Sequence, residues 1–258
     1  MRVISWNMQG AGFRSTESHY AAWRWLTSEV EFDVAMLQES TPPKWALTEF
    51  PNLIHNPKYS HLGRQWGNSI LCRQDVYSQY KFKVEQPWLE KISGAVVVAQ
   101  PNNPDGIWIV NMHSHQASLS REIVSEMDEL DVPHCHPTKI WEVEVATHFL
   151  KPILMGRQFV FGGDLNSGHL FDINYKYSNN KIMFENFRQQ GYIDLRLRHS
   201  EIEQQTYFKK NIGPYQLDHL FGDAVTANHT TRWEVLPHVA RDLELSDHAP
   251  VVIEITQS

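Results

Sequence analysis

Short runs of β-branched and aliphatic residues recur along this chain, with segments of helical apolar spacing between them. Arg2–Trp6 reads as a short strand and Val34–Leu37 as a buried one. Asn68–Cys72, Gly94–Ala99 and Ile107–Met112 are three more, rich in Ile and Val. Phe159–Phe161 is a strand ending in Gly162-Gly163, and Leu217–Phe221 and Val251–Ile255 are late strands. Tyr20–Val30 has apolar residues at helical spacing, with Ser18 as a plausible cap. Thr138–Leu150 reads as an amphipathic helix, and Ile182–Gln190 as a helix stopped by Gly191. Ala117–Pro137 shows no clear period and many charges and reads as a long loop or insertion. Helices between strands, with several hairpin-like pairs, predict two sheets with helices outside. No internal repeat or low-complexity linker divides the chain, so residues 1–258 read as a single α/β domain.

The polar residues at the strand ends carry the chemistry. Asn7 follows the first strand, Glu39 the second, and His113 follows Ile107–Met112. Asp164 and Asn166 come after the Gly162-Gly163 pair, where the backbone is free to bend sharply. Asp218 lies in a late strand, and Asp247 and His248 precede the last one. Singly, each has an ordinary use: Asp164 and Asn166 as turn formers, Asp247 as a cap, Glu39 as a solvated surface group. Together, at strand termini where α/β proteins build their sites, they form a set. Carboxylates and amides are hard oxygen ligands for Mg²⁺ or Mn²⁺. Such a cation neutralises a phosphate diester, a carboxylate or imidazole activates water, and Asn and His donors hold the non-bridging oxygens.

Composition bounds the reading. A hydrophobic fraction of 41% and a charged fraction of 21% are those of an ordinary globular chain. The net charge of -7 means that a nucleic-acid substrate needs a local basic patch or a bound cation. Arg64, Arg73 and Lys209-Lys210 are the candidates for that patch, and Trp66 beside Asn68 for base stacking, whereas Trp6 reads as core. The two cysteines imply no disulfide framework. The opening MRVISWNMQG reads at once as a strand, so a cytoplasmic chain is expected, although a processed secreted form would read the same. No apolar run is long enough to span a membrane. His134-Cys135-His136 lacks the spacing of a tetrahedral zinc site and reads as loop. His113 and His115 alternate and would share a strand face.

Seven ordered segments resemble the endonuclease/exonuclease/phosphatase, or DNase I-like, superfamily. They are SWNMQG (Ser5–Gly10), LQES (Leu37–Ser40), GNSILCR (Gly67–Arg73), VNMHS (Val110–Ser114), GGDLNS (Gly162–Ser167), QLDHLF (Gln216–Phe221) and LSDHAPV (Leu245–Val251). The N-terminal third, with WNMQG, STES at Ser15–Ser18 and LQESTPP at Leu37–Pro43, is similar to the catalytic subunit of cytolethal distending toxins. The resemblance implies a four-layer α/β sandwich, two mixed sheets face to face with helices outside. It also implies roles. Glu39 binds the metal with Asn7 beside it, and Asp247 is a further possible ligand. Asp164 orients or deprotonates water, Asn166 holds the scissile phosphate, and His248 contacts it or serves as acid/base. His113 is a second acid/base candidate, and Asp218 orients one of the two histidines. Asn68 and Arg64 are substrate-binding candidates. Gln9 stands where some relatives carry an acidic residue, which weighs against a second metal ion.

The function expected is a Mg²⁺- or Mn²⁺-dependent phosphodiesterase cleaving DNA or RNA, with no obligate protein partner. Two readings compete. The same chemistry can serve a small or lipid phosphoester such as an inositol phosphate or sphingomyelin, which the net charge fits at least as well. A binding module without catalysis is the other, against which the assembled carboxylates and histidines argue.

Overall fold

The structure is a computed structural model and describes residues 1–10, 14–59, 65–74, 76–82 and 95–256. Among these, strands form two six-stranded sheets. The first has the order β11(Thr230–Val235), β12(Val251–Ile255), β1(Arg2–Asn7), β2(Val34–Ser40), β4(Gln65–Cys72), β3(Ile54–Tyr59). The second has the order β5(Tyr77–Gln79), β6(Val96–Pro101), β7(Trp108–His113), β8(Phe159–Asp164), β10(Asp218–Gly222), β9(Ile193–Asp194). Each sheet is mixed: β1–β2 and β7–β8 are parallel, and the other pairs antiparallel.

Successive side chains on a strand point to opposite faces. In β1, Val3 faces the other sheet while Ile4 and Trp6 face outward; in β8, Val160 faces inward and Phe161 outward. The inner faces meet through Val3, Val34, Met36 and Ile70 from one sheet and Val97, Ile109, Val160 and Leu220 from the other. Outside the first sheet, Ile4, Trp6 and Leu37 pack on Ala22, Trp23 and Leu26 of a helix over Thr16–Glu29. Outside the second, Val110, Phe161 and Phe221 pack on helices Glu142–Leu154 and Asn179–Gln189. The result is the four-layer sandwich expected.

Several elements differ from the sequence-based expectation. The first helix starts four residues earlier, and its cap is Ser15, whose hydroxyl accepts the Ser18 N–H at 3.1 Å. The first turn, Thr-Glu-Ser-His, hides the period because it is polar, yet His19 is buried and accepts from the Trp23 indole and the Thr41 N–H. The helix expected from Thr138 begins at Glu142, because Glu144 folds back to accept the backbone N–H groups of Trp141 and Cys135. Ala117–Pro137 is not all loop: Arg121–Glu129 is helical and buries only Val124 and Met127, too few for a visible period. The strand expected at Gly94–Ala99 runs over Val96–Pro101, Gly94 itself lying outside the described residues.

Gly162-Gly163 is not a turn. Strand β8 continues through both glycines to Asp164. Their φ values, 153° and 135°, lie where L side chains rarely go. A Cβ on Gly162 would run into the His219 carbonyl, and one on Gly163 into that of Met112. The pair lets β8 lie close to its neighbours just where it delivers Asp164.

Candidate active site

Residues of alternating position share a face, so the inward side of each central strand changes from apolar to polar toward one end. Val3–Ser5–Asn7, Val34–Met36–Gln38, Ile109–Asn111–His113 and Val160–Gly162–Asp164 all follow this sequence. Inside, Gln38 Nε2 donates to Asn111 Oδ1 at 2.6 Å and to Ser5 Oγ at 3.2 Å, and Asn111 Nδ2 donates to the Ser69 carbonyl at 2.8 Å. This buried network pins the two sheets together directly beneath the polar ends.

Register then assembles the site. His113 pairs with Asp164, and Asp164 with Asp218, in adjacent strands β7, β8 and β10. Across the sandwich, Asn7 pairs with Gln38, and Glu39 comes next. There the β2–β4 register breaks and Glu39 takes a left-handed φ of 47°, a kink that re-aims its side chain. Asn7 Nδ2 donates to Asp164 Oδ2 at 2.9 Å and to Glu39 Oε1 at 3.3 Å. His113 Nε2 lies 3.6 Å from both of those oxygens. The Asn166 N–H donates to Asp164 Oδ1 at 2.9 Å, and Asn166 Nδ2 donates to the Ser114 carbonyl at 2.8 Å.

His248 enters from the loop before β12. Its Nδ1 meets Asp218 Oδ2 at 2.8 Å, and its Nε2 lies 3.8 Å from Asp164 Oδ2. Which histidine Asp218 serves was open in the sequence; the geometry selects His248. Ser246 and Trp6 fasten this loop: Ser246 Oγ donates to the Asn7 carbonyl and accepts the His248 N–H, and the Trp6 indole donates to the His248 carbonyl. Thr206 Oγ1 accepts the N–H groups of Leu217 and Asp218, and its carbonyl accepts from Ala249. The Tyr207 ring lies 4.9 Å from that of His248.

Burial sets the electrostatics. Asp218 is fully buried, Asp164 is 2% exposed and His248 5%. Burial raises the Asp164 carboxyl, His248 pulls it back, Asp218 pushes it up again, and the outcome is about 7. Burial also raises Glu39. For His248 burial works in the opposite direction, but the carboxylates of Asp218, Asp164 and Asp247 outweigh it and raise the imidazole to about 10. The balance of these charges favours the imidazolium form of His248.

The expected residues thus converge, with exceptions. Asn68 is buried, and its Nδ2 donates to the Ala95 carbonyl at 2.6 Å, a bond that links the two sheets. The fold uses Asn68 there because β4 and β6 belong to opposite sheets and their polar groups must be satisfied internally. Arg64 and the Trp66 side chain lie outside the described residues. Arg73 stacks on Phe32 and donates to Thr27 and Val30 carbonyls, so it belongs to the first helix's packing. His115 binds Glu142 at 3.0 Å through Nδ1. His134 contacts the Val132 carbonyl and Asp128. Asn7 Oδ1 accepts the Gln9 N–H at 2.9 Å, which leaves its amide hydrogens, not its oxygen, facing the carboxylates. Thr206 and Tyr207 went unnoticed in the sequence: Gln-Gln-Thr-Tyr-Phe has no periodicity and no charge to mark it.

No protein-family model and no curated protein matches the chain. Solved structures do. A 3′-5′ exonuclease, NExo, from Neisseria meningitidis is 18% identical with a TM-score of 0.72. The 3′ phosphatase NExo from Neisseria, bound to product DNA hairpin, is 17% identical with a TM-score of 0.71. An AP endonuclease from Archaeoglobus fulgidus is 16% identical with a TM-score of 0.69. In each case 100% of both chains is covered. At such identities the likeness shows the fold alone: this chain has the DNase I-like fold. The toxin likeness of the N-terminal third rests on its sequence segments alone.

Proposed function

We propose that the chain is a divalent-cation-dependent phosphodiesterase that hydrolyses nucleic acid with an activated water. The observation that carries this is the row His113–Asp164–Asp218 in register, with His248 and the Asn7–Glu39 pair closing on it. The solved structures of like fold include a 3′-5′ exonuclease, an AP endonuclease and a 3′ phosphatase bound to a product DNA hairpin, which supports the substrate class.

The residues fit a cation. Glu39, Asp164, Asp218 and Asp247 place four carboxyl groups around His248, and buried Asp218 Oδ1 has no hydrogen-bond partner among the described residues. Hard oxygen donors in such surplus suit Mg²⁺ or Mn²⁺. Asp164, Asp218 and His248 have ligand-like spacing, within 4.8 Å of one another. With Asp218 on its Nδ1 and surrounding carboxylates favouring its charged form, His248 is read as a group held and oriented toward the phosphate. Glu39 is the ligand we assign, with Asp247 beside it and Asn7 aligning the carboxylates. The cation, when bound, neutralises phosphate charge and stabilises the transition state.

The chain's own groups do the rest. Asp164, poised near neutrality and oriented by Asn7 and the Asn166 N–H, accepts a proton from water. His248, held charged by Asp218, donates through Nε2 to a phosphate oxygen. Asn166 supports the phosphate, and His113, within reach of both Glu39 and Asp164, is the second proton-transfer group.

The test is a panel of supercoiled DNA, single-stranded DNA, RNA and an inositol phosphate, each with Mg²⁺ or Mn²⁺ and with EDTA. Nucleic-acid cleavage lost in EDTA, and lost in folded Asp164→Ala and His248→Ala, is expected. Full activity of either variant, or turnover of the inositol phosphate alone, would overturn the proposal.

A further inference from the structure

A second feature adjoins the site. Beyond Asn166 and Tyr207 lies a cleft of about 980 Å³, at the upper end of the ~300–1,000 Å³ usual for small-ligand pockets. Its walls carry Phe171, Tyr175, Tyr177, Tyr207 and Tyr215, with Trp141 at one side. Phe171 and Tyr215 stack face to face, centroids 4.2 Å apart and planes 14° apart, and Asn174 holds the Tyr215 hydroxyl at 2.7 Å. Tyr175 continues this set at 6.3 Å and 22° from Phe171, and Tyr177 follows at 6.4 Å and 18° from Tyr175. Between the last two, Lys176 takes a left-handed φ of 56°, which brings both rings to the same side.

Two properties of this cleft point to its occupant. Tyr175 and Tyr177 are 59% and 66% exposed, although adjacent exposed rings are costly to leave in water. The charge of the cleft is also opposite to that of the chain. Carboxylates outnumber Lys and Arg by 30 to 23 overall, yet Lys139, Lys176 and Lys209 line the cleft and, among the described residues, no Asp or Glu does. Near-parallel rings interleaved with ammonium groups are what an unpaired strand needs, since rings stack on exposed bases and lysines track phosphates. A duplex hides its bases and would leave the rings unused. A lipid surface would not call for the amides of Asn179 and Asn211 in the same wall.

We propose that this cleft binds an unpaired nucleic-acid segment adjoining the scissile phosphate, so that the substrate is single-stranded or carries an unpaired end. This rests on the reading of the site as a nucleic-acid phosphodiesterase and narrows it. The experiment measures binding in EDTA, where no hydrolysis occurs, by fluorescence anisotropy of labelled oligothymidylate, its duplex with oligoadenylate, and an abasic oligomer of equal length. The wild-type chain is expected to favour the single strand by about tenfold or more over both others. Tyr175→Ala/Tyr177→Ala should erase most of that preference while binding the abasic oligomer as before. Tyr175→Leu/Tyr177→Leu, which keeps apolar bulk, should do the same and guards against misfolding, with thermal melts as the check. Lys139→Gln/Lys209→Gln should weaken all three probes together and flatten the salt dependence. Equal affinity for the base-bearing and abasic strands, tighter duplex binding, or preferential binding to phosphatidylcholine vesicles would overturn the proposal. Base-dependent binding by a chain that hydrolyses no phosphoester would remove the catalytic reading and leave the cleft; hydrolysis without base-dependent binding would do the reverse.

Discussion

Replacing Asp218 by Asn tests whether His248 works as a held imidazolium. The exchange conserves shape and removes one negative charge 2.8 Å from Nδ1 in a site where Asp218 is fully buried. A hydrogen bond between charged partners is worth about 1.5–3 kcal/mol net, so at about 1.4 kcal/mol per pH unit the imidazolium should titrate about one to two units lower. That descent starts from about 10, since Asp218 is the leading opponent of the burial that would otherwise lower the group. An Asn amide can also donate to Nδ1 and select the wrong neutral tautomer. The same carboxylate-to-amide change in a Ser-His-Asp triad costs about 10⁴-fold in kcat, so a loss of about 10²–10⁴-fold is expected here. Two measurements read it: kcat against pH on single-stranded DNA, and a ¹⁵N titration of the imidazole identified with His248→Gln. Stability supplies a third. A folded-state pKa raised above the unfolded value stabilises fully below about 6.5 and loses that contribution as pH climbs toward about 10. The wild type should therefore exceed Asp218→Asn in unfolding free energy most in mild acid, with the gap closing in alkali. Superimposable imidazole titrations with unchanged kcat, or a gap that widens with pH, would refute the reasoning.

Glu39→Gln removes the carboxylate assigned to the cation while keeping the Asn7 contact; Mn²⁺ affinity by calorimetry should fall by about tenfold or more, and undiminished binding would displace Glu39 from that role. Burial raises Asp164 to about 7, so protons and cation compete for this carboxyl-rich pocket; the acid limb of kcat/KM should move to lower pH as Mg²⁺ increases, and a limb indifferent to Mg²⁺ would contradict the shared pocket. Gly163→Ala places a methyl against the Met112 carbonyl at a φ of 135°; a loss of about 2–5 kcal/mol in denaturant unfolding is expected, and a wild-type midpoint would show that β8 does not need the close approach.

The strands, and the polar residues that end them, were legible in the amino-acid order. A period of two is local: Val160, Gly162 and Asp164 must share a face whatever surrounds them, and so must Ile109, Asn111 and His113. The motif order from Ser5 to Val251 then implied the sandwich before any distance was known. Less legible were elements with few buried residues, such as Arg121–Glu129, and the first helix's polar opening turn.

Partnership was decided only by the tertiary structure. Asn7 and Asp164 are 157 positions apart, and Asp218 and His248 are 30 apart; their meeting depends on strand register and on a loop fastened by Ser246, Trp6 and Thr206. Asn68 and Asn166 look alike in the chain, but one turns to the Ala95 carbonyl between the sheets and the other stands beside Asp164. The pKa values of Asp164 and His248, and the aromatic cleft beyond them, likewise arise from burial and juxtaposition. Side-chain type and spacing are properties of the chain, whereas desolvation and charge proximity exist only once distant segments pack, and these set the chemistry proposed here.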